Sequence, residues 1–495
     1  MRESGILFPI SSLPTKYGIG GFSNEAYEYV NWLKKTGCRY WQILPLGPTG
    51  YGDSPYQSVS TFAGNPYFID LEELTDDGLL TEEECEAADY CDTPGYVNYG
   101  KIYGTRLSLL RKAYERSNHK NDPEYIKFCS ENAYWLEDYV LFVAVKNSFE
   151  GKCWTEWDND IKTRKPAAIK KYTEKYADEL DFHRFIQWQF SKQWTDLKDY
   201  ANSQDILIIG DIPIYVAFDS ADAWANAGDG MFLFDKDCNP TKVAGCPPDA
   251  FCATGQLWGN PLYDWNNHKK TGYKWWISRI RHCFELYDTV RVDHFRGFDE
   301  FYAIPAKDTT AEHGKWMKGP GIELFNAIEK ELGCLPIIAE DLGFLTDSVR
   351  DLLDETGFPG MKVLQFAFYP YEPSVYLPHN HIENCVVYTG THDNDTTKGW
   401  FGTLPEDEKQ FIRDYLANPA ITADNAAEIM IKTALRSNAG LVIIPMQDIL
   451  NKGSEARLNA PSTLGTNWTW RMLDGENTDK MAEWMAAVNK MYQRN

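Results

Sequence analysis

Carboxylates stand at the ends of four short apolar runs in this 495-residue chain. They are Asp211, Asp293, Glu340 and Asp393. The carboxyl ends of parallel strands share one edge of a sheet, so acids in these positions would face a common pocket. One such acid is commonly a turn former or a helix cap, but four together predict a catalytic site built from carboxylates.

Two of these acids are expected to differ in charge. Arg291 and Asp293 are two residues apart on one predicted strand, so they project to the same side and the guanidinium favours an ionised Asp293. Glu340 follows three apolar residues, and partial burial would raise its pKa toward that of a general acid. An ionised and a protonated carboxyl group about 5 to 5.5 Å apart form the arrangement of retaining glycoside cleavage.

A third acid would accept hydrogen bonds from ring hydroxyls that tighten as the sugar flattens toward the transition state. Asp393 is preferred for this role because it lies nearer the apolar run and beside His392. Asp395 is the competing candidate, and its alternative role is to cap the following helix. His294 and His392 could be structural histidines, but beside these acids we favour hydroxyl donors.

The elements that must position these acids have the pattern of a parallel sheet. Short apolar runs alternate with helical patterns, and the run at 206–209 lacks in-out alternation, as in strands covered on both faces. Eight candidate strands therefore predict a (β/α)8 TIM barrel, at 38–46, 67–70, 206–211, 289–293, 337–340, 362–368, 385–389 and 441–445. Two outer helices are expected, one capped by Ser23 and ending at Gly37, the other from Thr346 to Gly357.

We interpret residues 1–495 as a single catalytic barrel domain. Between the second and third predicted strands, over residues 72–204, the sequence changes to charged, helix-forming stretches such as 103–116 and 166–179. This segment is predicted to be an inserted helical subdomain. We find no internal repeat or low-complexity tract.

Composition excludes several classes of function. The chain has 49 Lys and Arg against 72 Asp and Glu, a net charge of −23 that repels nucleic acids and anionic membranes. Its 17 Trp and 29 Tyr suit neutral ligands such as sugars. The 11 Cys are scattered, and neither a signal peptide nor a membrane span is recognisable, which predicts a cytoplasmic protein. No glycine-rich phosphate loop follows a strand, so we expect no organic cofactor.

Several specific stretches, in order and at suitable separations, carry a family resemblance. They include Ile212-Pro213-Ile214 after Asp211, Val292-Asp293-His294 and Thr391-His392-Asp393. The others lie at 5–14, 51–57, 245–249, 255–261 and 339–343, with closing motifs at 456–461 and 467–471. Over nearly its whole length the chain resembles the 4-alpha-glucanotransferases of the amylomaltase or disproportionating-enzyme type, glycoside hydrolase family 77.

The resemblance implies that Asp293 is the nucleophile, Glu340 the acid/base and Asp393 the transition-state stabiliser. It implies substrate-binding roles for Tyr56, Asp211, Trp258, Arg291, His294, His392 and Asn459. The implied reaction moves α-1,4-glucan segments from a donor to the 4-hydroxyl of an acceptor glucan or glucose, through a covalent glucosyl-Asp intermediate. No metal is implied.

The resemblance also implies a cleft-lining loop insertion at 240–275. Within it, the loop at 245–249, followed by Phe251, is similar to a flexible acceptor-side loop. The glycines at 255 and 259 favour an exposed turn around Trp258. Two positions depart from the family pattern, because Tyr369 stands where an acid is usual and Ser462 where glycine is common.

Three other functions are weighed against transfer. An α-glucan hydrolase would use the same residues, because one carboxylate can deprotonate either water or a sugar hydroxyl. A barrel isomerase or lyase could use Asp293, Glu340, His392 and Asp393 to bind Mg²⁺ or Mn²⁺, although the fixed charge of Arg291 would repel the ion. A glucan-binding protein without activity would explain the aromatic residues but not the placed acids.

Overall fold

A computed structural model describes residues 2–50, 52–248, 253–343 and 345–494. Its strands are β1 (Glu3–Leu7), β2 (Tyr40–Gln42), β3 (Leu207–Pro213), β4 (Lys242–Cys246), β5 (Gln256–Pro261), β6 (Thr289–Asp293), β7 (Glu300–Pro305), β8 (Lys315–Lys318), β9 (Ile337–Ala339), β10 (Gly360–Val363), β11 (Cys385–Tyr388) and β12 (Leu441–Pro445). Eight of them form one parallel sheet in the order β10-β11-β12-β1-β2-β3-β6-β9. The two ends of this sheet meet where the Ala339 N–H donates to the Pro359 carbonyl at 3.0 Å. The predicted (β/α)8 barrel is confirmed.

The helices of the described residues surround and extend this barrel. They are α1 (Asn24–Lys35), α2 (Leu71–Asp76), α3 (Glu82–Glu86), α4 (Tyr99–Arg116), α5 (Pro123–Ser148), α6 (Asn159–Lys162), α7 (Pro166–Lys175), α8 (Ala177–Ser203), α9 (Ala221–Ala225), α10 (Trp265–Lys270), α11 (Lys274–Leu286), α12 (Ile322–Leu332), α13 (Asp347–Thr356), α14 (Thr397–Thr403), α15 (Glu406–Tyr415), α16 (Ala423–Leu435), α17 (Met446–Ile449) and α18 (Asp479–Met491). α2 to α8 lie between β2 and β3, within the segment predicted to be helical. None of these helices combines the length and apolar character needed to cross a bilayer.

The two outer helices form where their sequence signals predict. α1 buries the stripe Ala26, Val30 and Leu33. α13 ends at Gly357, whose φ of 68° is the left-handed conformation that glycine adopts readily at a helix end. Ser23 is the N-cap residue of α1, but its hydroxyl donates to Glu25 instead of accepting a backbone N–H.

One predicted barrel strand is wrong, and one strand of the barrel was missed. Residues 67–70 are not a strand, because Asn65 caps a 3-10 helix at Pro66–Phe68 and Asp70 then caps α2. The place of that strand in the barrel is taken by β1, which pairs with β12 on one side and β2 on the other. The chain therefore enters the barrel at its very first described residues.

A second sheet, antiparallel and in the order β5-β4-β7-β8, follows β3 in the chain. One face buries Phe301 and Ala303 in the main core. The segment expected to be a cleft-lining loop at 240–275 thus contains β4, β5 and α10. Asp249 and Phe251, which belong to the expected acceptor-side loop, lie outside the described residues.

Candidate active site

Asp293 and Glu340 lie at the carboxyl ends of two neighbouring barrel strands. Asp293 is the last residue of β6, and Glu340 directly follows β9. Val292 pairs with Ala339 in register, and the Glu340 N–H donates to the Val292 carbonyl at 3.0 Å. Since paired strands lie about 4.8 Å apart, Asp293 and Glu340 leave the sheet side by side.

Arg291 binds two of the carboxylates at once. Its Nη1 lies 2.7 and 2.6 Å from the two oxygens of Asp211, and its Nη2 lies 2.9 Å from Oδ1 of Asp293. Burial alone would lower the pKa of Arg291, but the two carboxylates raise it well above its usual range. Burial raises the pKa of Asp211, and the charge of Arg291 opposes that rise. The side-by-side placement of Arg291 and Asp293 follows their spacing of two on a strand.

Glu340 is arranged as a protonated group. Burial first, and the neighbouring charge of Asp293 second, raise its pKa to about 8. Two backbone amides hold the carboxyl group, the His294 N–H donating to Oε2 at 2.7 Å and the Leu342 N–H to Oε1 at 2.8 Å, and these bonds partly oppose the rise in its pKa. His294 has φ 54°, the left-handed conformation, and in this turn its N–H donates to Glu340.

Asp393 is held by the segment near the C-terminus. Asn459 Nδ2 donates to Asp393 Oδ1 at 2.6 Å, and the Arg457 guanidinium donates to the Asp393 carbonyl at 2.7 Å. His392 Nε2 lies 3.4 Å from the same Oδ1. Asn459, expected from the resemblance to contact sugar, therefore orients an acid of the site in this structure.

Asp395, the competing acid, is engaged elsewhere. It accepts from the Ser454 hydroxyl at 2.6 Å. Its suggested role as a helix cap is wrong, because α14 is capped by Thr396, whose hydroxyl accepts from the Gly399 N–H at 3.1 Å. The structure thus leaves Asp393 as the acid that meets His392.

Tyr56 joins Asp211 to His392. Its hydroxyl donates to Asp211 Oδ2 at 2.9 Å and lies 3.3 Å from His392 Nδ1, while the two rings stack at 4.9 Å. Sequence reasoning missed Trp468, which contacts both rings at 5.9 Å with φ 65°. Trp468 belongs to the motif at 467–471, which the sequence had singled out. That this motif packs against Tyr56 and His392 could not be predicted from the sequence.

Trp258 and His294 pack against each other at another wall of the site. Their rings meet edge to face at 4.9 Å, and Tyr215 contacts both. The expected exposed turn at Trp258 is wrong, because Trp258 lies on strand β5, between the positive-φ glycines Gly255 and Gly259. Burial lowers the pKa of His294 to about 4, so its imidazole is neutral near pH 7.

The arrangement provides an acid bound by a guanidinium, a second acid with a raised pKa on the adjacent strand, and a third acid next to a histidine. In the described part of the chain, no three His, Cys, Asp or Glu side chains are grouped as a metal site requires. Chemically, such a pair of acids can attack an electrophilic carbon and protonate a leaving oxygen.

Comparison with known proteins identifies the family. A family model described as 4-alpha-glucanotransferase matches residues 8–476. The chain belongs to this family, glycoside hydrolase family 77. Among relatives of this 4-alpha-glucanotransferase family, the Clostridium butyricum enzyme is 48% identical over 98% of this chain and 99% of its own length. The Thermus thermophilus enzyme is 44% identical over 100% and 99%.

A solved structure of the same family agrees over the whole fold. The amylomaltase from Streptococcus agalactiae in complex with acarbose has a TM-score of 0.96 and 39% identity, covering 100% of both chains. The resemblance drawn from the sequence motifs is confirmed, and the chain is an enzyme of the 4-alpha-glucanotransferase class.

Proposed function

We propose that the protein is a retaining 4-alpha-glucanotransferase that moves α-1,4-glucan segments through a covalent glucosyl intermediate on Asp293. The observation that carries this proposal is the pairing of Asp293, bound by Arg291, with Glu340, whose pKa is raised to about 8 on the adjacent strand. An ionised nucleophile beside a protonated acid is what double displacement at an anomeric carbon requires.

In the first step, Asp293 attacks the anomeric carbon of the donor glucan. Arg291 occupies Oδ1, so Oδ2 is the attacking oxygen. The bond between that carbon and the glycosidic oxygen breaks, its electron pair leaves with the oxygen, and the proton of Glu340 goes to the same atom. The products are a glucosyl ester of Asp293 and a shortened glucan with a free hydroxyl.

In the second step, Glu340 is the base. Its carboxylate takes the proton of the acceptor's 4-hydroxyl as that oxygen attacks the anomeric carbon and the ester bond to Asp293 breaks. Two inversions restore the original configuration. Water entering in place of the acceptor would give hydrolysis, so transfer requires that the cleft bind sugar and exclude water.

The remaining site residues bind and orient the reacting sugar. Asp393, fixed by Asn459, accepts hydroxyl hydrogen bonds that strengthen in the transition state. Tyr56, Asp211 and His392 form a connected hydrogen-bonding wall around the sugar that is transferred. Trp258 and His294 present ring surfaces to the sugar C–H faces.

Incubation with maltotriose, followed by sizing of the products, tests the reaction. We expect glucose together with a ladder of longer oligomers, because each covalent glucan can pass to another sugar. Only shorter sugars with rising reducing ends would identify a hydrolase. Glu340→Gln should keep glucan binding but slow turnover by several orders of magnitude, and unchanged turnover would refute the roles given to this pair.

We also propose that the enzyme acts in the cytoplasm and that residues 72–204 form an inserted helical subdomain. Support for the first comes from the scattered cysteines, and for the second from the succession of α2 to α8 between two neighbouring barrel strands. Fractionation of cells and limited proteolysis around this segment test the two proposals separately.

A further inference from the structure

A second cavity, of ≈ 100 Å³, lies outside the carboxylate site. It is bounded by α5, α9, α11 and the loop that carries Ser60 and Phe62. The side chains that define it are Phe62, Tyr134, Asp138, Asn226, Trp275 and Ser278. The reaction described above uses none of these side chains.

Aromatic rings make the walls of this cavity. Tyr134 meets the Phe62 ring nearly at right angles, with centroids 5.7 Å apart, and Trp275 meets it likewise at 6.3 Å. Tyr134 is 53% exposed, so part of its ring is open to solvent and to a ligand. Rings that offer free faces and edges beside a polar rim suit the C–H faces of a pyranose.

The polar groups of the cavity are mainly hydrogen-bond acceptors. Arg164 donates to Asp138 Oδ1 at 2.5 Å, and the Thr61 N–H donates to Asp222 Oδ2 at 2.7 Å. Asn226 donates through Nδ2 to a backbone carbonyl at 2.8 Å, which leaves its side-chain oxygen available. Carboxylates and amide oxygens with remaining lone pairs accept from hydroxyl groups.

The charge of the cavity narrows the ligand class. Its two carboxylates are already engaged, Asp138 with Arg164 and Asp222 with the Thr61 N–H, and none of the described side chains that line it is Lys or Arg. An anionic ligand would find no cationic partner in this lining, whereas a neutral polyol can donate hydroxyls to the remaining lone pairs and stack its ring on Tyr134. The combination therefore favours a neutral saccharide.

We propose that this cavity is an accessory site that binds a glucosyl unit of an α-glucan away from the reacting bond. The choice of an α-glucan, among neutral saccharides, rests on the proposed function. The cavity is connected to the candidate active site along the chain. Ser60 and Phe62, which line the cavity, lie on the same loop as Tyr56. A long glucan held at both places would gain binding through effective concentration, whereas maltotriose would not.

Electrophoresis of the native protein in gels containing glycogen tests the site. Tyr134→Ala removes the exposed ring, and Ser278→Arg fills the cavity. Neither substitution changes a residue of the candidate active site. We expect each variant to raise the apparent dissociation constant for glycogen by about three- to tenfold, the loss of one ring contact. Turnover of maltotriose should stay within about twofold of the unmodified enzyme.

Two controls keep the result interpretable. Tyr134→Phe keeps the ring and should migrate like the unmodified enzyme. Ile126→Ala removes an exposed apolar side chain from the same helix without touching the cavity, and should also leave migration unchanged. Unchanged migration of both Tyr134→Ala and Ser278→Arg, or an equal shift in Ile126→Ala, would overturn the accessory site.

Failure of the proposed function has a different signature. If the unmodified enzyme forms no ladder from maltotriose, transfer is refuted, and the gel still reports whether the cavity binds glucan. If the ladder forms but glycogen does not retard the unmodified enzyme, the accessory site alone is refuted.

Discussion

Asn459→Ala would separate a positioning role from a sugar contact. Asn459 Nδ2 lies 2.6 Å from Asp393 Oδ1, a hydrogen bond between an amide and a carboxylate. Such bonds to charged groups contribute about 1.5 to 3 kcal/mol. Without it, the only other described side chain near the Asp393 carboxylate is His392, at 3.4 Å through Nε2, and the carboxylate is free to leave the orientation that the proposed transition state requires.

If that whole contribution is expressed in the transition state, kcat should fall by roughly 10- to 150-fold. KM for maltotriose should change little, because the ground state does not depend on the exact orientation of Asp393. The assay is initial-rate formation of glucose from maltotriose over a range of concentrations, with kcat and KM obtained separately.

Ser454→Ala is the matched control. It removes a hydrogen bond of the same 2.6 Å length, from the same C-terminal segment, to the carboxylate of Asp395 instead of Asp393. We expect its kcat to stay within about threefold of the unmodified enzyme. A higher KM with unchanged kcat in Asn459→Ala would refute the positioning argument and show that Asn459 serves mainly to bind sugar.

Three further outcomes are expected. The value of kcat/KM for maltotriose should hold near neutral pH and then fall as pH rises through about 8, because Glu340 must carry its proton in the first step; a profile without this alkaline limb would contradict its role as the acid. Asp293→Asn should lower the pKa of Glu340, since the charge of Asp293 is the second cause of its elevation, and carbon-13 NMR of labelled glutamate would show an unmoved titration if the two groups were not neighbours. Arg291→Met should lower the free energy of unfolding by about 3 to 5 kcal/mol, because Asp211 is left buried without its partner, and urea unfolding of the Arg291→Met, Asp211→Asn double variant should recover part of that loss. Equal stability of the single and double variants would mean that Asp211 needs no counter-charge.

The barrel and its acidic strand ends were predictable because each depends on local sequence. An apolar run followed by an acid is visible in 206–211 or 289–293 without knowledge of the rest of the chain. The order of these strands in the sheet, which brings Asp211 and Asp293 to the same guanidinium, then follows from the barrel topology.

Other features depended on contacts that no local pattern carries. The sequence of β1 is short and contains Ser4 and Gly5, and it becomes a strand only because β12 and β2 flank it. Residues 67–70 have the composition of a strand, yet Pro66 and the Asn65 cap start a 3-10 helix there. The antiparallel sheet was missed because β4–β5 and β7–β8 are not joined by short hairpin turns, and the two pairs meet only through β4 and β7, which the barrel strand β6 separates in the sequence.

The details of the site were the least predictable part. The donors to Glu340 are backbone amides, which every residue except proline possesses, so no side-chain type signals them. Likewise, the contact of Trp468 with Tyr56 joins residues more than 400 positions apart. Only the folded chain shows that the C-terminal motif packs against the candidate site.

The left-handed turn at His294 links Asp293 and Glu340 through one peptide unit. A single peptide unit is bonded to Asp293 on one side and donates through its N–H to Glu340 on the other. A displacement of this peptide unit would therefore move the backbone of Asp293 and the amide that holds Glu340 together. We accordingly expect changes in loops elsewhere around the candidate site to alter the relative position of these two side chains little.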